Sequence, residues 1–112
     1  MQHDLRLRHT HHFQRLRREG RSYPRPLMVM SIAPNMLAHN RYGLITSKHI
    51  GKAVKRNRLR RRMREAVRLL HPQLKSGYDI VFVARLPLVK QPFDIVQRTI
   101  SDLFQQAGLL EV

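Results

Sequence analysis

The sequence predicts a small α+β fold, a two-layer sandwich in which helices pack on one β-sheet. Three observations carry the prediction. Short apolar runs of strand length alternate with longer stretches whose apolar residues recur at helical spacing. The run YDIVFVA at 78–84 is the strongest strand signal, with Ile80, Val81, Phe82 and Val83 consecutive and expected to be buried. At 112 residues and 42% apolar content, with no low-complexity tract, the chain is long enough for one real core.

Taken in order, the first element is a helix over 10–19: Thr10 is a candidate N-cap, Phe13 and Leu16 share a face, and Gly20 follows. Residues 21–26 read as a basic connector in which two prolines enforce extended backbone. Residues 27–33 read as a strand, 34–41 as a loop and 42–47 as a second strand. Ile50-Gly51 is a turn before a long helix that ends by His71, because Pro72 follows. The strand at 78–84 comes next, then a loop over 86–92 with two prolines. A last helix carries Phe93, Val96, Ile100, Leu103, Phe104 and Ala107 on one face, with Gly108 just beyond its end. The order is α-β-β-α-β-α, in one domain spanning 1–112, with residues 1–9 expected to be a mobile basic N-terminus.

Charge is the second strong signal. The net charge is +15, and between Lys48 and Arg68 ten Lys/Arg face one acid, Glu65. With Met63 placed at zero on a helix of about 100° per residue, Leu59, Ala66, Val67 and Leu70 fall within about 60° of it. Arg58, Arg61, Arg64 and Arg68 fall about 100° or more away, with Arg62 on the other flank and Asn57 beside Arg64. One stripe docks on a core while the other presents guanidinium groups. Such crowding of like charge costs a few tenths of a kcal/mol per i,i+4 pair and calls for a polyanion, for which the planar Arg fork is well suited. Gly51 and Lys52 lead into the helix, whose free N–H groups favour a phosphate. The 6–25 segment adds seven arginines, whereas the C-terminal third is nearly neutral.

Other chemistry is weaker. With no cysteine there is no disulfide, no Cys-ligated zinc and no thiol nucleophile, which suits a reducing, cytoplasmic setting. His9, His11 and His12 invite a metal reading, but only His9 and His12 share a helical face, and surface imidazoles fit better. Ser47-Lys48 is no nucleophile pair, because adjacent residues on a strand end point apart. A protein nuclease gathers carboxylates for metal ions, and the seven acids here are scattered, which argues against a self-sufficient active site. A transit peptide fits the Arg- and His-rich N-terminus only superficially. Tyr78, Phe82, Phe93 and Phe104 fit a core. Phe13, on an arginine-rich helix, is either a base-stacking platform or a packing residue beside Leu16.

The segment GLITSKHIGKAVKRNRLRRRMREAVR resembles the signature of the bacterial ribonuclease P protein component, GxxxSKKxGxAVxRNRxKRxxRE, with Arg56-Asn57-Arg58 as its RNR motif. RLRHTHHFQRLRREG resembles the family's first helix, and YDIVFVAR and FDIVQRTISDLFQQ its last strand and helix, so nearly the whole chain is covered. The resemblance implies an α-β-β-β-α-β-α fold with a mixed sheet of about four strands and a left-handed β-α-β crossover. It implies an accessory subunit of a hydrolase whose catalytic RNA removes the 5′ leader of precursor tRNA, with Mg²⁺ held mainly by RNA and substrate, no catalytic residue and no assigned metal site in the protein, and a protein that is monomeric within the holoenzyme. Lys48, Lys52, Arg56, Asn57, Arg58, Arg60, Arg61, Arg62, Arg64 and Arg68 would contact the catalytic RNA. A cleft between the first helix and the sheet would hold the leader through Phe13, Arg15, Arg17 and Met30 or Ser31. Arg17 stands where a second aromatic is often found, and Met30 or Ser31 where a Tyr is common; His49 replaces a lysine. The alternative is a structural RNA-binding protein, such as a ribosomal protein, with no part in cleavage. A helix-turn-helix lacks the preceding helix, and a membrane-surface helix leaves the sheet unexplained.

Overall fold

The computed structural model describes residues 5–7 and 10–111. Their elements are α1 (Thr10–Glu19), β1 (Arg21–Pro24), β2 (Met28–Pro34), β3 (Arg41–Ile45), α2 (Ala53–Leu70), β4 (Tyr78–Ala84) and α3 (Phe93–Gln106), with short 3₁₀ turns at Lys48–Ile50, His71–Gln73 and Leu86–Lys90. The strands form one mixed sheet in the order β1-β2-β4-β3. β1 and β2, and β2 and β4, pair antiparallel, whereas β3 runs parallel to β4 and is joined to it through α2.

The expected connector at 21–26 is where residue-level reading fails. Residues 21–24 pair with β2, from Arg21 opposite Ile32 to Pro24 opposite Val29. Proline cannot donate to a ladder, but β1 is an edge strand and Pro24 is its last residue, so little pairing is lost.

Alternation along the strands divides the apolar residues between two faces. Met28, Met30, Ile32, Tyr42, Ile80, Phe82 and Ala84 meet Leu59, Met63, Ala66, Val67 and Leu70 of α2 and Val96, Ile100, Leu103 and Phe104 of α3. Phe82 and Phe104 stack edge to face with centroids 5.5 Å apart. The other face is lighter: Ala33 and Val81 are covered by Leu7 and Leu16, with Phe13 and Val83 half-buried around them. Thus α2 and α3 close the main core, while α1, with Leu7 beside it, lies on the opposite side of the sheet.

Residues 1–9 were expected to be mobile, yet residues 5–7 lie against the sheet. Arg6 bridges to Tyr42, Leu7 N donates to the Tyr42 carbonyl at 2.8 Å, and the Leu7 side chain is buried. The remainder of that stretch falls outside the described residues, His9 of the histidine cluster included.

A buried polar knot fixes α1 and β3 to the start of β4. Asp79 is fully buried and accepts from Arg41 Nε and Nη2 (both 2.8 Å), Arg15 Nη2 (2.9 Å) and Asn35 Nδ2 (3.0 Å). Burial pushes its carboxyl up, but the bonds from Arg41, Asn35 and Arg15 outweigh that and hold it below the usual carboxylate range. Nearby, Asn40 Nδ2 donates to the Lys75 carbonyl (2.8 Å), and Tyr78 N donates to Asn40 Oδ1 (2.8 Å). Tyr42 Oη lies 2.6 Å from His71 Nδ1, and burial, opposed by the Asn40 bond, pushes its phenol up to about 12.

Candidate nucleic-acid interface

The sorting expected on the long helix is present residue for residue. Leu59, Met63, Ala66, Val67 and Leu70 are the buried residues of α2. Lys52, Asn57, Arg58, Arg61 and Arg68 are exposed, as is Lys48 just upstream, and Arg56, Arg60, Arg62 and Arg64 are half-buried at the flanks. The helix keeps its register because its start is clean: Gly51 has φ of +135°, a value side chains rarely adopt, and Lys52 follows in extended conformation as N-cap. No side chain caps that end, so the first N–H groups of α2 face outward beside Lys52.

These cations are not equivalent. Arg68 forks onto Glu65 at 2.9 and 2.6 Å, and that bond holds the Glu65 carboxyl below its ordinary value. Arg62 Nη1 donates to the Gln91 carbonyl at 3.1 Å, and Arg60 donates to the Asn57 amide oxygen. The Arg56 Nε is buried with no acceptor among the described residues. Arg64 is pushed below its ordinary value by burial and then by repulsion from Arg6, Arg60 and Arg61. Repulsion among Arg60, Arg61, Arg64 and Arg6, with no carboxylate bonded to any of them among the described residues, makes this surface a ready receptor for phosphates.

A second concavity lies on the α1 side of the sheet. Phe13, Leu16 and Arg17 of α1 face Ser22, Ser31, Ile45, Val81 and Val83 across a cleft of about 170 Å³. Phe13 also borders a recess shared with Arg6, Arg60 and Arg64, so its ring stands between the cleft and the flank of α2. Gly43 permits this: a Cβ there would sit 2.8 Å from Phe13 Cε1. The ring therefore packs on the strand and borders open space at once.

The ribonuclease P family model matches residues 1–108. The chain belongs to the bacterial ribonuclease P protein family. Relatives include the ribonuclease P protein components of Roseiflexus sp. strain RS-1, 45% identical over 112 residues covering 99% of this chain and 92% of that protein, and of Chloroflexus aurantiacus strain J-10-fl, 45% identical with 98% and 82% covered. Among solved structures, the Staphylococcus aureus RNase P protein superposes with a TM-score of 0.88 at 26% identity, covering 96% of this chain and 98% of that one. The Thermotoga maritima protein gives 0.83 at 28%, covering 90% and 96%. Membership makes the chain an accessory subunit of ribonuclease P, associated with the ribonuclease P RNA and serving tRNA processing.

Within that family frame, two candidate leader residues need correction. Met30 is fully buried against the α2–α3 core, opposite Phe82 in the ladder, and cannot reach a ligand. Ser31, one residue on, points to the cleft, with its Oγ 3.2 Å from Ser22 Oγ. Arg15 is a structural anchor: its two terminal nitrogens bond Asp79 and the Pro34 carbonyl (2.9 Å each), and Nη1 also lies 3.5 Å from Glu19. Arg17 is exposed and lines the cleft. Arg41 and Asp79, which hold α1 in place, escaped the sequence reading; a lone acid inside the apolar run YDIVFVA was their one visible signal. Among the described residues no three His or acidic side chains gather as a metal site, and His12 Nε2 instead lies 3.2 Å from Arg41 Nη1. Ser47 and Lys48 are both exposed. No helix of the described residues is long and apolar enough to cross a membrane.

Proposed function

We propose that this chain acts as a single RNA-binding domain that docks its α2 face on the ribonuclease P RNA and holds the 5′ leader of precursor tRNA in the cleft beneath α1. The observation that carries the reading is the separation of α2 into a buried apolar stripe and an exposed arginine face, with the Phe13 cleft opening at its flank. Lys48, Lys52, Arg56, Arg58, Arg60, Arg61, Arg62, Arg64 and Arg68 neutralise phosphates of the RNA, and the uncharged Asn57 amide hydrogen-bonds beside them. Phe13, Arg17 and Ser31 border the extended leader, the ring offering a π-face that tolerates any base. The protein contributes positioning and charge, and Mg²⁺ chemistry belongs to the RNA and substrate. The protein works as a monomer within a cytoplasmic holoenzyme.

The test is a reconstitution at low Mg²⁺, cleaving 5′-labelled precursor tRNA with a bacterial ribonuclease P RNA with and without this chain. Rescue of cleavage at the mature 5′ end is expected. Tight RNA binding with no rescue, repeated with the cognate RNA, overturns the assignment.

A further inference from the structure

Where the middle of α2 meets the start of α3, a shallow recess of about 410 Å³ is lined by Arg58, Arg61, Arg62, Glu65 and Phe93. Its composition is unusual for a boundary between two packed helices. Phe93 is the first residue of α3, set by Pro92 before it, and it packs against the main core while remaining half-exposed. Arg62 is tied back to the Gln91 carbonyl, so the wall beside the ring is fixed. Arg58 and Arg61 are exposed and have no carboxylate partner among the described residues. Glu65, the one acid of α2, is already forked by Arg68.

We infer that this recess is a nucleobase pocket: an unpaired base of the ribonuclease P RNA stacks on the Phe93 ring while Arg58 and Arg61 hold its flanking phosphates. The inference rests on the α2 face meeting that RNA and deepens it, assigning to α3 a contact that α2 alone cannot make. An aromatic face bounded by guanidinium groups suits a base and its backbone together, because stacking is uncharged and sequence-tolerant whereas the arginines take the anionic links. A phosphate-only surface has no use for a half-exposed ring at its centre.

The test compares wild-type protein with Phe93→Leu, which keeps an apolar core contact but removes the π-face, in titrations with a bacterial ribonuclease P RNA at several salt concentrations. Thermal melts confirm that the variant folds. We expect binding weakened roughly fivefold to tenfold, at the low end of base-stacking effects, with the salt slope unchanged. Unchanged affinity, or a loss that comes with a changed slope, overturns the pocket. The chain has no tryptophan, so Phe93→Trp provides a unique reporter. Its emission is expected to be quenched in the RNA complex more than that of Met36→Trp, placed on the exposed loop after β2. Equal quenching at both positions, or none at residue 93 in a complex that forms, also overturns it. Failure of the wild type to bind the RNA at all would instead remove the α2 assignment itself.

Discussion

Replacing Asp79 by Asn separates the anchoring of α1 from the charge of α2. The substitution keeps shape but turns one carboxylate oxygen into an amide NH₂. If that group stands at the Oδ2 position, it faces Arg15 Nη2 and Arg41 Nη2, which now donate there at 2.9 and 2.8 Å. Charge-assisted bonds contribute about 1.5–3 kcal/mol each. The Arg15 and Arg41 side chains are 27% and 20% exposed and can partly rehydrate, so the low end applies to each. The expected loss is about 3 kcal/mol, or roughly 10–15 °C in Tm for a chain of this size. The pH dependence has a definite sign. Asp79 titrates lower folded than unfolded, so its contribution is complete above the unfolded carboxylate value near 4 and disappears as pH falls through the folded value. Urea melts of both proteins should therefore differ by about 3 kcal/mol at pH 7 and converge in strong acid, where protonated Asp79 resembles the Asn. At temperatures where the variant stays folded, discrimination between precursor and mature tRNA should fall while affinity for the ribonuclease P RNA holds, because α1 hangs on Asp79 and α2 does not. A loss below about 1 kcal/mol at pH 7, or a difference that survives in acid, refutes the argument.

Arg58→Ala with Arg61→Ala should flatten the slope of log K against log salt by roughly two units. The melting temperature should stay within about 2 °C, since both side chains are exposed and neither is ion-paired among the described residues; salt-series titration and thermal melts check both. Phe13→Leu should weaken precursor tRNA about fivefold relative to mature tRNA in a binding assay, and equal loss for both would leave Phe13 a packing residue only. Gly43→Ala places a Cβ 2.8 Å from Phe13 Cε1. It should cost about 1–3 kcal/mol and the same discrimination, non-additively with Phe13→Leu in a double-mutant cycle. Tyr42→Phe removes the buried hydroxyl beside His71 and should cost about 1 kcal/mol in urea melts.

The helices were legible in the sequence for different reasons: α1, Thr10–Glu19, is bounded by Thr10 and Gly20 around the Phe13–Leu16 pair, and the buried face of α2 is the one that the angles around Met63 describe. β4 was legible because a run of seven that is apolar apart from Asp79 suits a strand covered on both sides. The failures share one cause, that pairing and facing are not local properties. β1 is a strand because β2 offers it an edge, and two prolines in six residues hide that. Residues 27–33 are apolar nearly throughout, so no alternation separates Met30 from Ser31; only the ladder, which sets them opposite Phe82 and Val81, tells the core face from the cleft face. Arg15 and Arg17 differ by about 200° around α1, so one meets Asp79 while the other borders the cleft. Nothing local marks which of 22 cations will find a buried acid.

That sorting of arginines explains how so charged a chain keeps a compact fold. The acids that bond arginines do so at a few positions: Asp79 gathers Arg15 and Arg41, Glu19 supports Arg15, and Glu65 takes Arg68. Each such pair fixes an element or closes a helix face, and none of these acids bonds Arg58, Arg60, Arg61 or Arg64. Repulsion along α2 is therefore left in place in the free protein, and under the proposed docking of α2 on RNA its relief by phosphates would favour association. A carboxylate added among those arginines would stabilise the free chain and weaken the complex. The Asp79 knot has the opposite logic: it is closed within the protein and fixes α1, and with it the cleft, in the free chain.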